Sequence, residues 1–458
     1  MRPRKVLVAS LIAVVGVAAF TAWWLRADKE DPVDPRMACH VAVYRLDDGR
    51  LIDIAPITGN GLRWRGVDGR TGKLQQGETG RWSGSIGWSD RPDPTDVQLG
   101  TCSQPVMTFE GHRGQRLSFA TTETRFQGHG ETLAGRLVMP PGDGPVPIAV
   151  MVHGSEATSA RTYNYFQRLF PANGIGVFVY DKRGTGDSTG KYSQDFHLLA
   201  DDAVAALKEA RRLAGARASR VGFSGGSQAG WIEPLAATKS DADFVAVAYG
   251  LADTPLAEDR DQVRLDLIAA GHGPDVLAKA REVTDATGAV MVARFKGGYD
   301  RLDAVKAKYA SEPWWKDMKG EYTGLVLRYP PIALRMFGPD EGTSWEYEPM
   351  PVLQSVKQPL LWIIAGADRE APPEETRRRL LAVAKGKPNA TVVEFPGTDH
   401  GIIQFVVTPD GEREGTRVAD GYFRMLVDWI RDGHLGDSAY GDAAVLARAN
   451  QGLSGSAR

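Results

Sequence analysis

The sequence predicts an α/β fold: a doubly wound, mostly parallel sheet with a helical insertion, preceded by a small β-rich module. Three observations predict it. Apolar runs of strand length alternate with helical patterns over 108–251 and again over 351–437, which is typical of parallel strands joined by crossover helices. Between these halves, 252–350 is rich in helix formers and too long for a loop, which predicts a helical cap. Residues 37–107 instead show short alternating runs between glycine-rich turn signals.

The N-terminal segment predicts a location outside the cytoplasm. Three basic residues among the first five precede an apolar run at 6–25, which is long enough to span a bilayer. Basic residues on that side keep the N-terminus in the cytoplasm and place the rest of the chain outside. We therefore predict that 1–26 is a signal anchor or a signal peptide, and that the protein is periplasmic, either anchored in the inner membrane or secreted after cleavage. We favour the anchor, because Trp23 and Trp24 lie where an interfacial anchor belongs, and 27–36 has the composition of a linker.

The two cysteines of the chain fit an oxidising compartment. Cys39 and Cys102 flank the β-rich module. A disulfide between them would close the loop and stabilise the fold by about 4 kcal/mol in the loop-entropy model. Two unpaired, buried thiols are the alternative. We favour the disulfide, because both cysteines flank the same small segment.

Composition argues against some function classes. The net charge of −2 gives no reason to expect a nucleic acid partner. Two cysteines and eight scattered histidines form no cluster with metal-ligand spacing, so we expect no metal and no cofactor. The tail at 438–458 is small and polar, and we predict that it is disordered.

Each element of the core is predicted from its own run of residues. Strands are predicted at 116–125, 132–139, 147–152, 176–180, 220–225, 244–249, 360–365 and 391–395. Helices are predicted at 162–170, 196–213, 231–237 and 418–430.

Three segments that follow predicted strands carry the chemistry. They hold Ser227 in a glycine-rich turn, Asp368 after Gly366-Ala367, and His400 before Gly401. A serine hydroxyl is a weak nucleophile at neutral pH, so it needs a base to take its proton and an acid to orient that base. We therefore predict Ser227 as the nucleophile, His400 as the base and Asp368 as the acid.

The serine turn permits two readings. Gly222-Phe223-Ser224-Gly225-Gly226 matches the pattern G-x-S-x-G, whereas the turn around Ser227 has Ala229 in place of the second glycine. We favour Ser227, because it directly precedes the predicted helix at 231–237 while Ser224 lies inside the strand.

The acid and the base have rivals in sequence. Glu370 is the alternative to Asp368, and Asp399 is adjacent to His400 but is expected to point away from it. His153 ends another predicted strand, and we expect a structural role for it. The same expectation holds for Asp181 and Arg183, as ion pairs that hold a loop.

The oxyanion that forms during acyl transfer needs donors near the serine. The loop His153-Gly154-Ser155 follows the predicted strand at 147–152. We predict that the backbone N–H groups of Ser155 and Gln228 form the oxyanion hole.

These motifs together resemble a known family. The segments are His153-Gly154-Ser155, Asp181-Lys182-Arg183-Gly184, Gly226-Ser227-Gln228-Ala229-Gly230, Asp368-Arg369 and Asp399-His400-Gly401. They are similar to bacterial α/β-hydrolases of the dienelactone hydrolase and serine-peptidase-like group, over about 108–433. The resemblance implies an α/β-hydrolase sheet, a helical cap after the sixth strand, the triad Ser227, Asp368 and His400, and esterase or peptidase activity. Ala229 is the departure from the family pattern.

We hypothesise a serine carboxylesterase that works through an acyl-enzyme and acts on a small-molecule ester or a short acyl or peptidyl substrate. Aromatic residues in the insertion suggest an apolar acyl or aryl group. An aminopeptidase-type serine peptidase is the alternative, and it would need a cap carboxylate such as Glu312, Glu321 or Asp340 to bind the substrate amine. A non-catalytic binding protein on the same fold is the alternative from another class.

Overall fold

The computed structural model describes residues 33–59, 61–78 and 80–449. None of the helices in these ranges has both the length and the apolar character that a membrane crossing requires. The predicted membrane segment at 6–25 lies outside the described residues, and so does the end of the predicted tail. Residues 255–346 form one compact unit, and the rest of the described chain forms a second.

The N-terminal module is an eight-stranded antiparallel sheet that follows a short helix, α1 (Pro35–Ala38). Its strands are β1 (Ala42–Leu46), β2 (Leu51–Pro56), β3 (Leu62–Gly66), β4 (Thr71–Gln76), β5 (Trp82–Ile86), β6 (Val97–Thr101), β7 (Gln104–Phe109) and β8 (His112–Arg116). They lie in the order β5-β4-β3-β2-β1-β8-β7-β6. Tyr44, Trp64 and Phe109 pack in one buried core, and the predicted disulfide between Cys39 and Cys102 is present.

The module ends at Arg116 and not at 107, where the sequence-based boundary was placed. Glu110 and Gly111 have positive φ angles of 50° and 82°, and they form a two-residue hairpin between β7 and β8. Strand β8 then pairs with β1 and so belongs to the same sheet. The boundary was missed because Glu-Gly is a weaker hairpin signal than Asn-Gly or Asp-Gly.

The core is a nine-stranded mixed sheet. Its strands are β9 (Ala120–Gln127), β10 (Thr132–Met139), β11 (Val146–Val152), β12 (Gly176–Tyr180), β13 (Ala218–Gly226), β14 (Val245–Ala248), β15 (Leu360–Ala365), β16 (Ala390–Phe395) and β20 (Ala444–Ala447). Their order is β20-β16-β15-β14-β13-β11-β12-β10-β9, and the central pairs from β12 to β16 are parallel. Helices of the first half are α2 (Ala160–Tyr163), α3 (Phe166–Ala172), α4 (Phe196–Ala214) and α5 (Ala229–Thr238).

Both faces of the central strands are buried. In β11, Ile148 and Val150 belong to one hydrophobic cluster, while Ala149 and Met151 belong to the other. This explains why the strands are almost continuously apolar in sequence. The strand order reverses at β11, whose neighbours are β12 and β13, and ligands bind in such sheets at the carboxyl ends of strands beside a reversal.

The prediction of a disordered tail from 438 is wrong for residues 444–447. They form β20, which pairs antiparallel with the edge strand β16, with Val445 opposite Val393. The physical reason is that the Ala-Val-Leu-Ala run is apolar, and an edge strand offers it unpaired backbone groups.

Residues 255–346 are helical. The helices are α6 (Pro255–Ala269), α7 (Pro274–Val292), α8 (Tyr299–Tyr309), α9 (Glu321–Arg328) and α10 (Pro331–Phe337). Trp314 and Trp345 are buried in the unit's own core. Buried Asp259 accepts hydrogen bonds from the backbone N–H groups of Tyr322 and Thr323 at 2.8 and 3.0 Å. Trp314 and Trp345 therefore pack inside this unit. They give less support to the prediction of an apolar substrate than the sequence suggested.

The second half of the core completes the chain. Its helices are α11 (Met350–Ser355), α12 (Pro373–Gly386) and α13 (Tyr422–Asp432). A small antiparallel sheet precedes α13 and consists of β17 (Thr398–Asp399), β18 (Ile403–Val407) and β19 (Arg413–Val418). We call β18, β19 and their connection the base hairpin, because it directly follows His400.

Candidate active site

Ser227 lies at the tip of a sharp turn between β13 and α5. Its φ is 57°, a left-handed conformation that is rare for residues other than glycine and is concentrated at functional sites. The turn is fixed by backbone bonds, because Ser227 N–H donates to Ala248 O at 3.0 Å and Gly230 N–H donates to Ser227 O at 2.8 Å. The turn therefore has the geometry of a nucleophile elbow, as the sequence predicts.

Ala229 fits the elbow because of a compensating glycine. The Ala229 side chain is buried, and a Cβ added to Gly225 would lie 2.8 Å from the Ala229 Cβ. The methyl group occupies the space that Gly225 leaves open. The departure from the G-x-S-x-G pattern is accommodated in this way.

Ser224 does not occupy an elbow. It lies inside β13, opposite Met151 on one side and Ala246 on the other, and it is 3% exposed. The backbone of Ser224 is thus held by two neighbouring strands, whereas Ser227 comes after the end of β13.

His400 and Asp368 form a hydrogen-bonded pair. The Asp368 Oδ2 atom is 2.9 Å from His400 Nδ1, and Asp368 Oδ1 accepts from the backbone N–H groups of Glu370 and Ala371 at 2.9 and 2.8 Å. Asp368 is 2% exposed. Both of its oxygens are therefore engaged, which suits a group that fixes the tautomer of an imidazole.

The pKa of His400 is raised. Burial alone would lower it, but the hydrogen bond to Asp368 and the negative charges of Asp368, Glu370 and Asp399 outweigh burial. These charges favour the imidazolium that forms when the ring accepts a proton.

The two rival carboxylates have other positions. Asp399 accepts from Arg413 Nη1 at 2.7 Å and from the backbone N–H groups of Arg369 and His400 at 3.1 and 3.0 Å, so its oxygens are engaged by groups other than the His400 ring. Glu370 Oε1 lies 3.5 Å from His400 Nε2, on the ring nitrogen opposite to Asp368. Of the three acids, Asp368 is the one placed to orient the base.

Ser227 and His400 line one cavity of about 440 Å³. Ser155, Tyr165 and Tyr249 also line it. The predicted nucleophile, base and one predicted oxyanion donor thus share a single concave site, while Asp368 is buried behind His400.

The loop that carries Ser155 passes beside Ser227. A Cβ added to Gly154 would lie 3.6 Å from the Ser227 Cβ. The loop is pinned by the buried Lys182, whose Nζ donates to Gly154 O at 2.6 Å and to Glu156 O at 3.0 Å. On the other side, Gln228 is the N-cap residue of α5, at the helix end where backbone N–H groups lack partners within the helix.

Three strand-end residues have structural contacts. Burial lowers the pKa of His153 to about 3, and its Nε2 bonds to Tyr180 O at 2.5 Å. Asp181 accepts from the Ser159 hydroxyl at 2.7 Å, and Arg183 pairs with Asp202 at 2.8 Å. The sequence-based structural assignment of these residues agrees with these contacts.

Sequence reasoning missed Tyr249. Its φ is 41°, its ring is 4.9 Å from the His400 ring, and a Cβ on Gly226 would lie 2.4 Å from its hydroxyl oxygen. The Tyr249 ring therefore packs between His400 and the turn at Ser227. The available signal was its place directly after β14, at the same sheet edge as the other site residues.

Comparison with known proteins assigns the family. The alpha/beta hydrolase family matches residues 149–413, more than half of the chain. The chain belongs to the alpha/beta hydrolase family. The fold predicted from the sequence and the resemblance to α/β-hydrolases are confirmed.

Curated relatives of this alpha/beta hydrolase include esterases. The chain is 30% identical to esterase FrsA of Klebsiella pneumoniae (strain 342) over 166 residues, which are 35% of this chain and 40% of that protein. It is 33% identical to esterase FrsA of Enterobacter sp. (strain 638) over 99 residues, which are 21% of this chain and 24% of that protein. The match thus spans less than half the length of these relatives.

Two solved structures from Pyrococcus also match part of the chain. An esterase of Pyrococcus furiosus has a TM-score of 0.40 at 16% identity, with 62% of this chain and 84% of that chain covered. An acylaminoacyl peptidase of Pyrococcus horikoshii has a TM-score of 0.42 at 16% identity, with 84% and 56% covered.

Proposed function

We propose that this alpha/beta hydrolase is an extracytoplasmic serine carboxylesterase with a triad of Ser227, His400 and Asp368. One observation carries the proposal: a serine in a left-handed turn shares a cavity with a histidine whose Nδ1 is held by a buried carboxylate. Similarity to proteins named esterases supports the choice of ester substrates.

The proposed reaction is an acyl transfer in two steps. The Ser227 hydroxyl oxygen attacks the ester carbonyl carbon while His400 Nε2 takes its proton, and Asp368 stabilises the resulting imidazolium. The backbone N–H groups of Ser155 and Gln228 hold the oxyanion, and His400 returns the proton to the leaving alcohol. Water then hydrolyses the acyl-enzyme by the same route.

A fluorophosphonate probe tests the assignment. We expect a label on Ser227 that is lost in His400→Ala and unaffected in Ser224→Ala, as mapped by mass spectrometry of the labelled peptide. A label on Ser224, or an equal label in His400→Ala, would contradict the proposed triad.

A peptidase is the second candidate, because the cavity is acidic. Glu156 and Glu370 line it, and no lysine or arginine occurs among its described lining residues. A Cβ added to Gly154 would lie 2.6 Å from Glu156 Oε2 and 3.6 Å from the Ser227 Cβ, so the Glu156 carboxylate lies close to Ser227. A protonated substrate amine would be attracted to these carboxylates, which belong to the core and not to the helical unit that the sequence suggested.

Anilide substrates separate the two candidates. A peptidase would cleave an aminoacyl anilide faster than its N-acetylated counterpart, and Glu156→Gln would raise KM only for the free amine. An esterase would turn over aryl acetates and neither anilide.

The location is also a proposal. The apolar run at 6–25 and the disulfide between Cys39 and Cys102 support an extracytoplasmic protein held in the inner membrane or secreted. Cell fractionation with a C-terminal tag tests it, and recovery of the full-length chain in the cytosol would contradict it.

A further inference from the structure

The N-terminal module touches the wall of the catalytic cavity. Tyr165, which lines that cavity, directly precedes α3 of the core. The Arg65 guanidinium, from β3 of the module, lies over the Tyr165 ring with its carbon 4.3 Å from the ring centroid. On another side the ring meets Phe423 at a centroid distance of 5.9 Å. The module thus supplies one of the supports that hold this ring.

Arg65 is itself held by a buried ion cluster. Asp53, on β2, is 0% exposed and accepts from Arg168 Nε at 2.5 Å, while Arg65 Nη1 lies 3.5 Å from its Oδ2. A carboxylate buried in this way is stable only while its partners keep their geometry. Because Arg168 belongs to α3 of the core, the cluster ties the module to the segment that bears Tyr165.

The module also holds the base hairpin. Trp88 N–H donates to Gly415 O at 2.8 Å, and Val418 N–H donates to Gly69 O at 3.0 Å. A Cβ on Gly69 would lie 2.1 Å from Val418 O, so the two backbones are in close contact. The module therefore contacts the catalytic cavity wall and the hairpin after His400 at separate places.

We propose that the N-terminal module is a positioning element of the active site, and that Arg65 sets acyl-group selectivity by holding the Tyr165 ring in the cavity wall. This inference rests on the proposed esterase function. Without the guanidinium the ring gains freedom to move toward the module, which lengthens the cavity. Longer acyl chains then gain relative to acetate.

The test compares acyl selectivity among variants of the full chain. The readout is the ratio of kcat/KM for p-nitrophenyl octanoate to that for p-nitrophenyl acetate. In Arg65→Met we expect the ratio to rise about threefold to tenfold, in line with the loss of one arginine–aromatic contact. Arg65→Lys keeps the charge beside Asp53 but loses the planar stacking surface, so it also raises the ratio and serves if the first variant does not fold.

Arg50 provides the matched control. It too contacts an aromatic ring and a carboxylate within the module, with its guanidinium carbon 5.5 Å from the Phe109 centroid and its Nη1 2.6 Å from Glu110 Oε2. Arg50→Met should leave the ratio unchanged, because neither contact touches a cavity residue. A shift in Arg50→Met as large as that in Arg65→Met would overturn the proposal, since any loss of module stability would then suffice.

A double variant tests the route through the ring. In a Tyr165→Ala background, Arg65→Met should change the ratio no further. The positioning role is overturned if Arg65→Met shifts the ratio equally with and without the Tyr165 ring, or if neither Arg65 variant shifts it.

Fluorophosphonate labelling of Ser227 separates this inference from the proposed function. An unlabelled wild type means that the proposed function has failed, whereas normal labelling with an unchanged ratio means that only this inference has failed.

Discussion

The turn at Ser227 (the elbow) and the loop that carries Asp399 and His400 (the base loop) are held in place by different forces. The elbow depends on backbone: β13 is paired on both sides, and Ser227 is bonded through its N–H and its carbonyl. The base loop depends on charge: His400 is tied to Asp368, and Asp399 beside it is tied to Arg413. The elbow is thus a local structure sensitive to volume, whereas the base loop is a tertiary structure sensitive to charge.

The largest expected effect is on the base loop. Asp368→Asn keeps the shape but removes the charge that fixes the His400 tautomer, so we expect kcat to fall about 10⁴-fold. Asp399→Asn is the control, and we expect a loss of about tenfold, because Asp399 does not bond to the imidazole and acts through the position of the loop and through its charge near the ring. Steady-state kinetics with an aryl acetate measures both. Equal losses would mean that the two carboxylates act as one unit.

The next effect is on the elbow. A Cβ on Gly225 would lie 2.4 Å from Val152 O and 2.8 Å from the Ala229 Cβ, and both neighbours are fixed. Gly225→Ala should therefore cost about 1–3 kcal/mol in the free energy of unfolding, measured by urea denaturation. Gly386→Ala is the matched control: a Cβ there meets nothing within 4 Å, so stability should be unchanged or slightly higher. If Gly225→Ala is as stable as the wild type, the elbow is less tightly packed than its geometry indicates.

This contrast explains what the sequence could and could not predict. The elbow follows from short-range rules on glycine, small residues and the strand–helix transition, so the turn at Ser227 could be predicted from its neighbours. Tyr249 and Glu156 enter the site through the positions of whole segments. No residue motif marks them, and the one signal for Tyr249 was its place at the end of a strand. The hairpin at Glu110 was missed because its turn residues are a weak signal, and the edge strand at Ala444 was missed because its apolar run is short. Both segments gain their structure by pairing with strands of an existing sheet.

A smaller effect concerns Glu233, on the helix that follows the elbow. It is fully buried, neither carboxylate oxygen has a hydrogen-bond partner among the described residues, and burial raises its pKa well above 4.5. The folded state therefore keeps the proton that the unfolded chain releases, so the contribution of Glu233 to stability is most favourable below about pH 4.5 and falls as the pH rises toward the folded pKa. Glu233→Gln should remove this fall, which reaches about 1.4 kcal/mol per pH unit.

Glu209 gives the opposite sign as a control for Glu233. The hydrogen bond from Arg212 lowers the pKa of Glu209, so its contribution is present above about pH 4.5 and is lost as the pH falls through the folded pKa. Glu209→Gln should therefore destabilise the protein at pH 7 and converge with the wild type in acid. Denaturation between about pH 2 and pH 8 measures both variants, and parallel curves for Glu233→Gln and the wild type would contradict the buried acid.

The smallest effect is on the pH profile of the base. His400 must be neutral to accept the serine proton, so kcat/KM should rise with pH through the His400 pKa, with its midpoint above 6.5 because that pKa is raised. Glu370→Gln removes one of the charges that raise it, so the midpoint should move to lower pH by a few tenths of a unit, since Glu370 is half exposed and well screened. Glu375→Gln, at a carboxylate already paired with Arg378 and Arg379, should leave the midpoint in place. A shift toward higher pH in Glu370→Gln would show that Glu370 does not act on the ring as a negative charge, and the charge-based account of the base loop would then have to rest on Asp368 and Asp399.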